Sequence, residues 1–283
     1  MKEKQLVNHN NNEIIRTCPL CHSDNKNEAI SKYSRDSWII KTCRNCSLYY
    51  LENVIPYSEL INNYAWTKTS EKENQFRLKR SPILKKISNS YSWFKQNIIR
   101  RDKGTALIHQ LFSSGSLIDV GCGSGGILKK LPINVVPFGI EIELETAKLC
   151  NKYAETRGGY VWHNDAISGL NEIEADYFDG IIMQSYLEHE INPQDVLKGA
   201  LRVLKEGGLA IIKVPNFSCW NRHLRQNNWC GFRFPDHVNY FTPETLKTIV
   251  LDAGFSIHRF NFFDRSPLSD NMWMILEKTS DKY

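Results

Sequence analysis

No run in this chain of 283 residues approaches the ~18 consecutive apolar residues that a membrane-spanning helix needs. The amino terminus, MKEKQLVNHNNNEII, lacks the apolar core of a secretion signal. There is no internal repeat, and the one biased stretch is a short asparagine-rich start. A strong charge imbalance is missing too. Lys and Arg total 36 against 31 Asp and Glu, and a net charge of +5 does not by itself call for nucleic acid. What these absences leave is a globular protein, expected in the cytoplasm and away from membranes. Its length suits one large α/β domain plus a small satellite.

The eight cysteines fall into two groups. Cys18, Cys21, Cys43 and Cys46 form two C-x-x-C knuckles, and each knuckle turns tightly enough to aim both sulfurs at one Zn²⁺. Two disulfides are disfavoured without a secretion signal. A redox C-x-x-C would follow a strand and open a helix, whereas both knuckles sit in a turn-rich segment. The spacing therefore predicts a structural zinc site, with four protein ligands and no open position for substrate. Cys122, Cys150, Cys219 and Cys230 are scattered and read as small buried hydrophobes.

Four regions are expected: a disordered start over 1–14, a zinc ribbon over 15–50, a linker with a basic amphipathic helical segment over 51–112, and the main domain over 113–283. Helical text runs from Gln75 to Phe112, with Ile83, Leu84, Ile87, Tyr91, Phe94 and Ile98 on one face. Lys79, Lys85, Lys86, Lys95 and Arg101 lie opposite. That basic side reads as a solvated face, or as a patch for an anionic substrate or RNA.

Leu117-Ile-Asp-Val120 reads as a buried strand and Ile127 to Leu131 as the helix after it, with Gly121, Gly123 and Gly125 at the turn. Glycines there let a ligand approach the main chain. Gly126 also satisfies a dinucleotide-type spacing, so the glycines alone do not decide. A second strand, Val135 to Ile140, ends at Glu141, where a carboxylate can accept from ribose hydroxyls. A short strand before Asp165, another over 178–183 and one over 209–214 complete the series.

In order, the chain reads L-I-D-V-G-C-G-S-G, F-G-I-E, N-D-A, F-D-G-I-I and L-R-V-L-K-E-G-G. This series resembles the class I S-adenosylmethionine-dependent methyltransferases over Leu117 to Lys278. The resemblance implies an α/β, Rossmann-like, doubly wound and mostly parallel sheet, with an antiparallel final strand at Met272 to Lys278. It implies S-adenosylmethionine as cofactor, with Asp119 near the methionine amino group and Gly121, Cys122, Gly123 and Gly125 beneath the sulfonium end. Glu141 and Ile142 would meet the ribose, Asp165 and Ala166 the adenine edge, and Gln184 would complete the set.

Two stretches are candidates for the chemistry. Gln184 to Glu190 lies at the mouth of the expected pocket, and Phe234 to Pro243 resembles the H-x-x-Y-F segment that roofs it in several small-molecule subfamilies. His189 and His237 are the candidate general bases, each balanced against a packing role. The zinc knuckles with E-H and D-H-x-x-Y-F are similar to deoxysugar C-methyltransferases, although Phe234 stands where their motif has a tyrosine. Quinone O-methyltransferases are similar over the same stretches but have a glutamate where this chain has Ser185. Trp220, Trp229, Phe232 and Phe234 could hold a sugar or a flat aromatic ring. The expected acceptor is a small molecule, a saccharide or other secondary-metabolite hydroxyl or carbon. The alternative is an RNA methyltransferase that uses ribbon and basic helix; the D/N-P-P-[FY] signature of base amino-group methylation is absent.

Overall fold

The computed structural model describes residues 13–56, 75 and 102–279. Most of the basic helical segment, including its lysine face, lies outside the described residues, as does nearly all of the asparagine-rich start.

The amino-terminal module holds four short strands: β1 (Ile14–Ile15), β2 (Ile40–Thr42), β3 (Tyr49–Leu51) and β4 (Asn53–Val54). Next comes helix α1 (Lys103–Leu111), whose N-cap Asp102 accepts from the Thr105 amide. A seven-stranded sheet then forms from β5 (Gly115–Val120), β6 (Val135–Glu141), β7 (Tyr160–His163), β8 (Phe178–Gln184), β9 (Leu204–Pro215), β11 (Ser256–Arg259) and β12 (Asn271–Glu277). Its order is β11-β12-β9-β8-β5-β6-β7. The five strands from β9 to β7 run parallel, and β12 pairs antiparallel with both β9 and β11. This is the Rossmann-like order with an antiparallel strand that the motifs imply.

Central parallel strands are covered on both faces, so they read as continuous apolar runs. Alternation still sorts their side chains. Ile118, Val120, Ile181 and Met183 share one core with α3 (Ala166–Glu172), α4 (Pro193–Val203) and α6 (Pro243–Asp252). Leu117 and Ile182 share the other core with α1 and α2 (Leu144–Glu155). In α4 the buried residues Pro193, Val196, Leu197, Ala200 and Val203 fall at steps of three and four, which is one helix face. Helix α5 (Trp220–Arg225) follows β9, and a capping box of Thr242 and Thr245 starts α6, with Pro243 in its first turn.

The chain reverses direction of winding between β5 and β8. Their carboxyl ends therefore flank the crevice where such sheets take ligands. One expectation changes here. The helix expected over 127–131 is only a 3₁₀ turn, Leu128–Lys130, because Leu131 is extended ahead of Pro132.

The amino-terminal module is not a separate bead. Strand β3 pairs antiparallel with β10 (Asn239–Tyr240), inside the segment expected to roof the pocket. Cys18, Leu20, Cys43, Leu48 and Tyr50 pack into the same core as Leu187 and α4. Among the described residues no helix is long and apolar enough to cross a membrane.

Candidate active site

The residues singled out for cofactor binding gather along one edge of the sheet. Asp119 is the penultimate residue of β5, Gly121 to Gly125 follow the strand, Glu141 ends β6 with Ile142 just after it, Asp165 and Ala166 open α3 after β7, and Gln184 ends β8. The glycine loop is fastened from behind, since the Gly121 and Cys122 amides both donate to the Ile140 carbonyl. Its outer side is pinned by Glu141. Oε2 accepts from the Gly123 amide at 2.8 Å, and Oε1 accepts from the Glu143 amide at 2.9 Å.

Two glycines of the loop differ. Gly121 has φ +74°, and a Cβ there would stand 2.6 Å from Cδ2 of Tyr186, the second residue after β8. Gly123 has φ +52°, and a Cβ there would meet no atom of the described residues within 4 Å. The first glycine is required by packing. The second borders space that no described residue fills, as the floor of a ligand cleft should.

Asp119 is buried, and burial pushes its carboxyl well above the usual carboxylate range. The charges that reach it, from Cys150 and Glu141, carry its own sign. A cationic group brought by a ligand would offset that cost, and the ammonium of S-adenosylmethionine is such a group. The side chain of Asp165 accepts from the Ser168 amide at 2.9 Å, so one of its oxygens caps α3.

The segment after β8 runs from this cleft to the two candidate histidines. Ser185, with φ +57°, turns the chain in the left-handed region, and its hydroxyl accepts from Lys213 at 2.9 Å. Tyr186 lies over Gly121 and donates from its hydroxyl to buried Glu190 at 2.8 Å. Beyond it, the rings of His189 and His237 meet edge to face at 4.6 Å between centroids. Nδ1 of His189 bonds the Asp236 carbonyl at 3.0 Å, and Nδ1 of His237 bonds the Gly231 carbonyl at 2.8 Å. Glu188 is buried beside them, its Oε2 without a hydrogen-bond partner among the described residues, and burial raises its pKa. One donor atom from each of Glu188, His189 and His237 lies within 4.8 Å of the others.

The four knuckle cysteines converge as well, their Sγ atoms all within 4.8 Å of one another. Cys18 lies 3.5 Å from Cys46, and Cys21 lies 3.4 Å from Cys43. Both knuckles close alike: the His22 amide donates to the Cys18 carbonyl and the Ser47 amide to the Cys43 carbonyl, each through a left-handed residue. Burial pushes the Cys18 thiol up to about 12. Against its own burial, the amides of Cys46 and Asn45 bring Cys43 down to about 6. Four soft donors this close together fit Zn²⁺.

Residues 96–259, more than half of the chain, match the family described as "Methyltransferase domain". The chain belongs to that family. Its relatives include an uncharacterised protein of Methanocaldococcus jannaschii, 24% identical over 61% of this methyltransferase and 80% of that protein. The ubiquinone biosynthesis O-methyltransferase of Psychrobacter arcticus is 24% identical over 56% of this chain and 65% of the enzyme. This methyltransferase thus spans somewhat under two thirds of that relative's length. Among solved structures, a methyltransferase complexed with the Haloferax volcanii Trm112 methyltransferase activator superposes with a TM-score of 0.51. That pair is 13% identical and covers 67% of this chain and 93% of the other. Family and fold agree in making this chain a methyltransferase.

One expectation about the acceptor is overturned. Trp229, Phe232 and Phe234 are buried, packed with Phe217, Tyr33 and Tyr240, and join the amino-terminal module to the roof. Only Trp220 of the four expected aromatics is exposed. Reasoning from sequence also missed Tyr186 as the cover of Gly121, the buried carboxyl of Glu188 beside the histidines, and Arg16. For Arg16 no signal was available, since it is a lone cation two residues before a knuckle.

Proposed function

We propose that the protein transfers a methyl group from S-adenosylmethionine to a hydroxyl of a small-molecule acceptor, with His237 or His189 taking the proton. The observation that carries this reading is the paired imidazoles beside buried Glu188. Tyr186 joins their segment directly to the glycine loop. S-adenosylmethionine supplies a methyl already activated by its sulfonium charge. The chain has to hold the acceptor oxygen in line and accept its proton, and a positioned base typically contributes ~10²–10⁴ in rate. Each imidazole bonds a main-chain carbonyl through Nδ1, which fixes the orientation of its ring. His237 is the first choice and His189 the second.

The same reading assigns Asp119 to the methionine ammonium, Gly121 to Gly125 to the floor, Glu141 to the ribose, and Asp165 with Ala166 to the adenine edge. It assigns Zn²⁺ to Cys18, Cys21, Cys43 and Cys46 in a structural role. The name of the Psychrobacter relative supports a hydroxyl acceptor.

The test is single-turnover transfer to a panel of catechol, nucleotide sugars and bulk RNA. His237→Ala should cut transfer to the small acceptor at least a hundredfold while adenosylhomocysteine affinity stays unchanged. Loss through His189→Ala alone exchanges the two roles. Transfer to RNA that survives both substitutions would reject the reading.

A further inference from the structure

We propose that Arg16 is a positioning residue for the acceptor half of the active site, tying the amino-terminal module to the segments that carry Glu188, His189 and His237. The inference rests on the reading above for what those residues do, but on independent geometry for what Arg16 does.

The guanidinium of Arg16 reaches four acceptors on three separate segments. Nε donates to the Leu51 carbonyl at 2.8 Å, and Nη1 to the Ile191 carbonyl at 3.0 Å. Nη2 donates to the Val238 carbonyl and to Oδ1 of Asn239, the latter at 3.0 Å. The Arg16 amide also donates to the Glu52 carbonyl, and the guanidinium lies 5.5 Å from the centre of the Tyr50 ring.

Each segment it holds is one step from the candidate chemistry. The Val238 and Asn239 amides both donate to the Glu188 carbonyl, at 2.7 and 3.1 Å. Asn239 is fully enclosed, and its Nδ2 donates to the Leu187 and Glu190 carbonyls at 2.9 and 2.7 Å. The Leu51 amide donates to the Val238 carbonyl at 2.9 Å, which closes the ring back onto the module. The main chain on both sides of Glu188–His189, and that just after His237, therefore hangs on one fork of donors. A lysine has one nitrogen on a flexible stem and cannot hold three directions at fixed angles. None of these contacts touches the glycine loop, Glu141 or Asp165, so cofactor binding should be indifferent to Arg16.

The test compares wild type, Arg16→Ala and Arg16→Lys in the full, metal-loaded chain. Readouts are amide exchange, the imidazole carbon–proton resonances of His189 and His237, zinc content and adenosylhomocysteine affinity. Arg16→Ala should speed exchange at the Leu51, Val238 and Asn239 amides at least a hundredfold and displace both imidazole resonances. Zinc content should hold, and adenosylhomocysteine affinity should stay within twofold. Guanidinium ion at millimolar concentration should restore the resonances in part. Should the alanine variant fail to fold, Arg16→Lys carries the test, with at least tenfold faster exchange at the same amides. Unchanged exchange and unchanged imidazole resonances in a folded variant would overturn the proposal. Displaced imidazoles with undiminished methyl transfer would uphold the strap and remove the histidines from the chemistry, so the two readings fail separately.

Discussion

Replacing Gly121 and Gly123 by alanine, one at a time, separates what the glycine loop does for the fold from what it does for the ligand. Both residues have positive φ, so a side chain costs ~1–2 kcal/mol of backbone strain at either one. At Gly121 the new methyl would also stand 2.6 Å from the Tyr186 ring, and overpacking of that kind adds ~1–3 kcal/mol. At Gly123 it meets no atom of the described residues within 4 Å. Gly123→Ala should therefore lower Tm by only roughly 2–8 °C, at about 2–4 °C per kcal/mol for a domain of this size. Gly121→Ala should lower it clearly more. The order reverses for binding relative to folding cost: Gly123→Ala should lose at least tenfold in adenosylhomocysteine affinity, about 1.4 kcal/mol. The assays are differential scanning calorimetry without ligand and titration calorimetry with adenosylhomocysteine. A stable Gly123→Ala protein with wild-type affinity would refute the placement of the cofactor over this loop.

Three further outcomes are expected. Glu141→Ala should weaken adenosylhomocysteine binding by ~1.5–3 kcal/mol, the usual value of a hydrogen bond to a charged group, and titration calorimetry reads it directly. Freshly purified, reduced protein should contain about one zinc per chain by elemental analysis, because four converging thiolates link folding to metal. Cys43→Ser should lower that content and the Tm far more than it lowers cofactor affinity. Asp264 is 3% exposed, and against its burial Lys103 and Arg259 hold its carboxyl below the usual carboxylate range. A depressed folded pKa contributes stability that is present above the unfolded value near ~4 and disappears as pH falls through the folded one. Asp264→Asn should cost ~1.5–3 kcal/mol in urea unfolding at pH 7, with the gap to wild type closing below about pH 4.

The catalytic domain was legible because its signals are local. Each parallel strand is an apolar run in contiguous text, as in Leu117 to Val120, and the functional groups follow directly at strand ends. The paired knuckles were legible for the same reason, since two tight turns each present two thiols. What stayed hidden depends on partners far apart in sequence. Trp229 and Phe232 looked like a ligand platform, and nothing nearby showed that Tyr33 and Phe217 would enclose them. Cys122 and Cys150, read as buried hydrophobes, are indeed buried, yet their contact at 3.6 Å spans the glycine loop and α2. Arg16 gains its meaning only from carbonyls 35 to 223 residues away. A local rule also failed once: the helix after the glycine loop gave way to the proline at 132.

Methyl-labelled S-adenosylmethionine, incubated with the purified protein and a deproteinised extract split into small molecules and RNA, tests the central claim most directly. Label should enter the small-molecule fraction with formation of one adenosylhomocysteine per methyl, and His237→Ala should abolish it while leaving adenosylhomocysteine binding intact. Label confined to the RNA fraction, or no binding of adenosylhomocysteine at all, would contradict it.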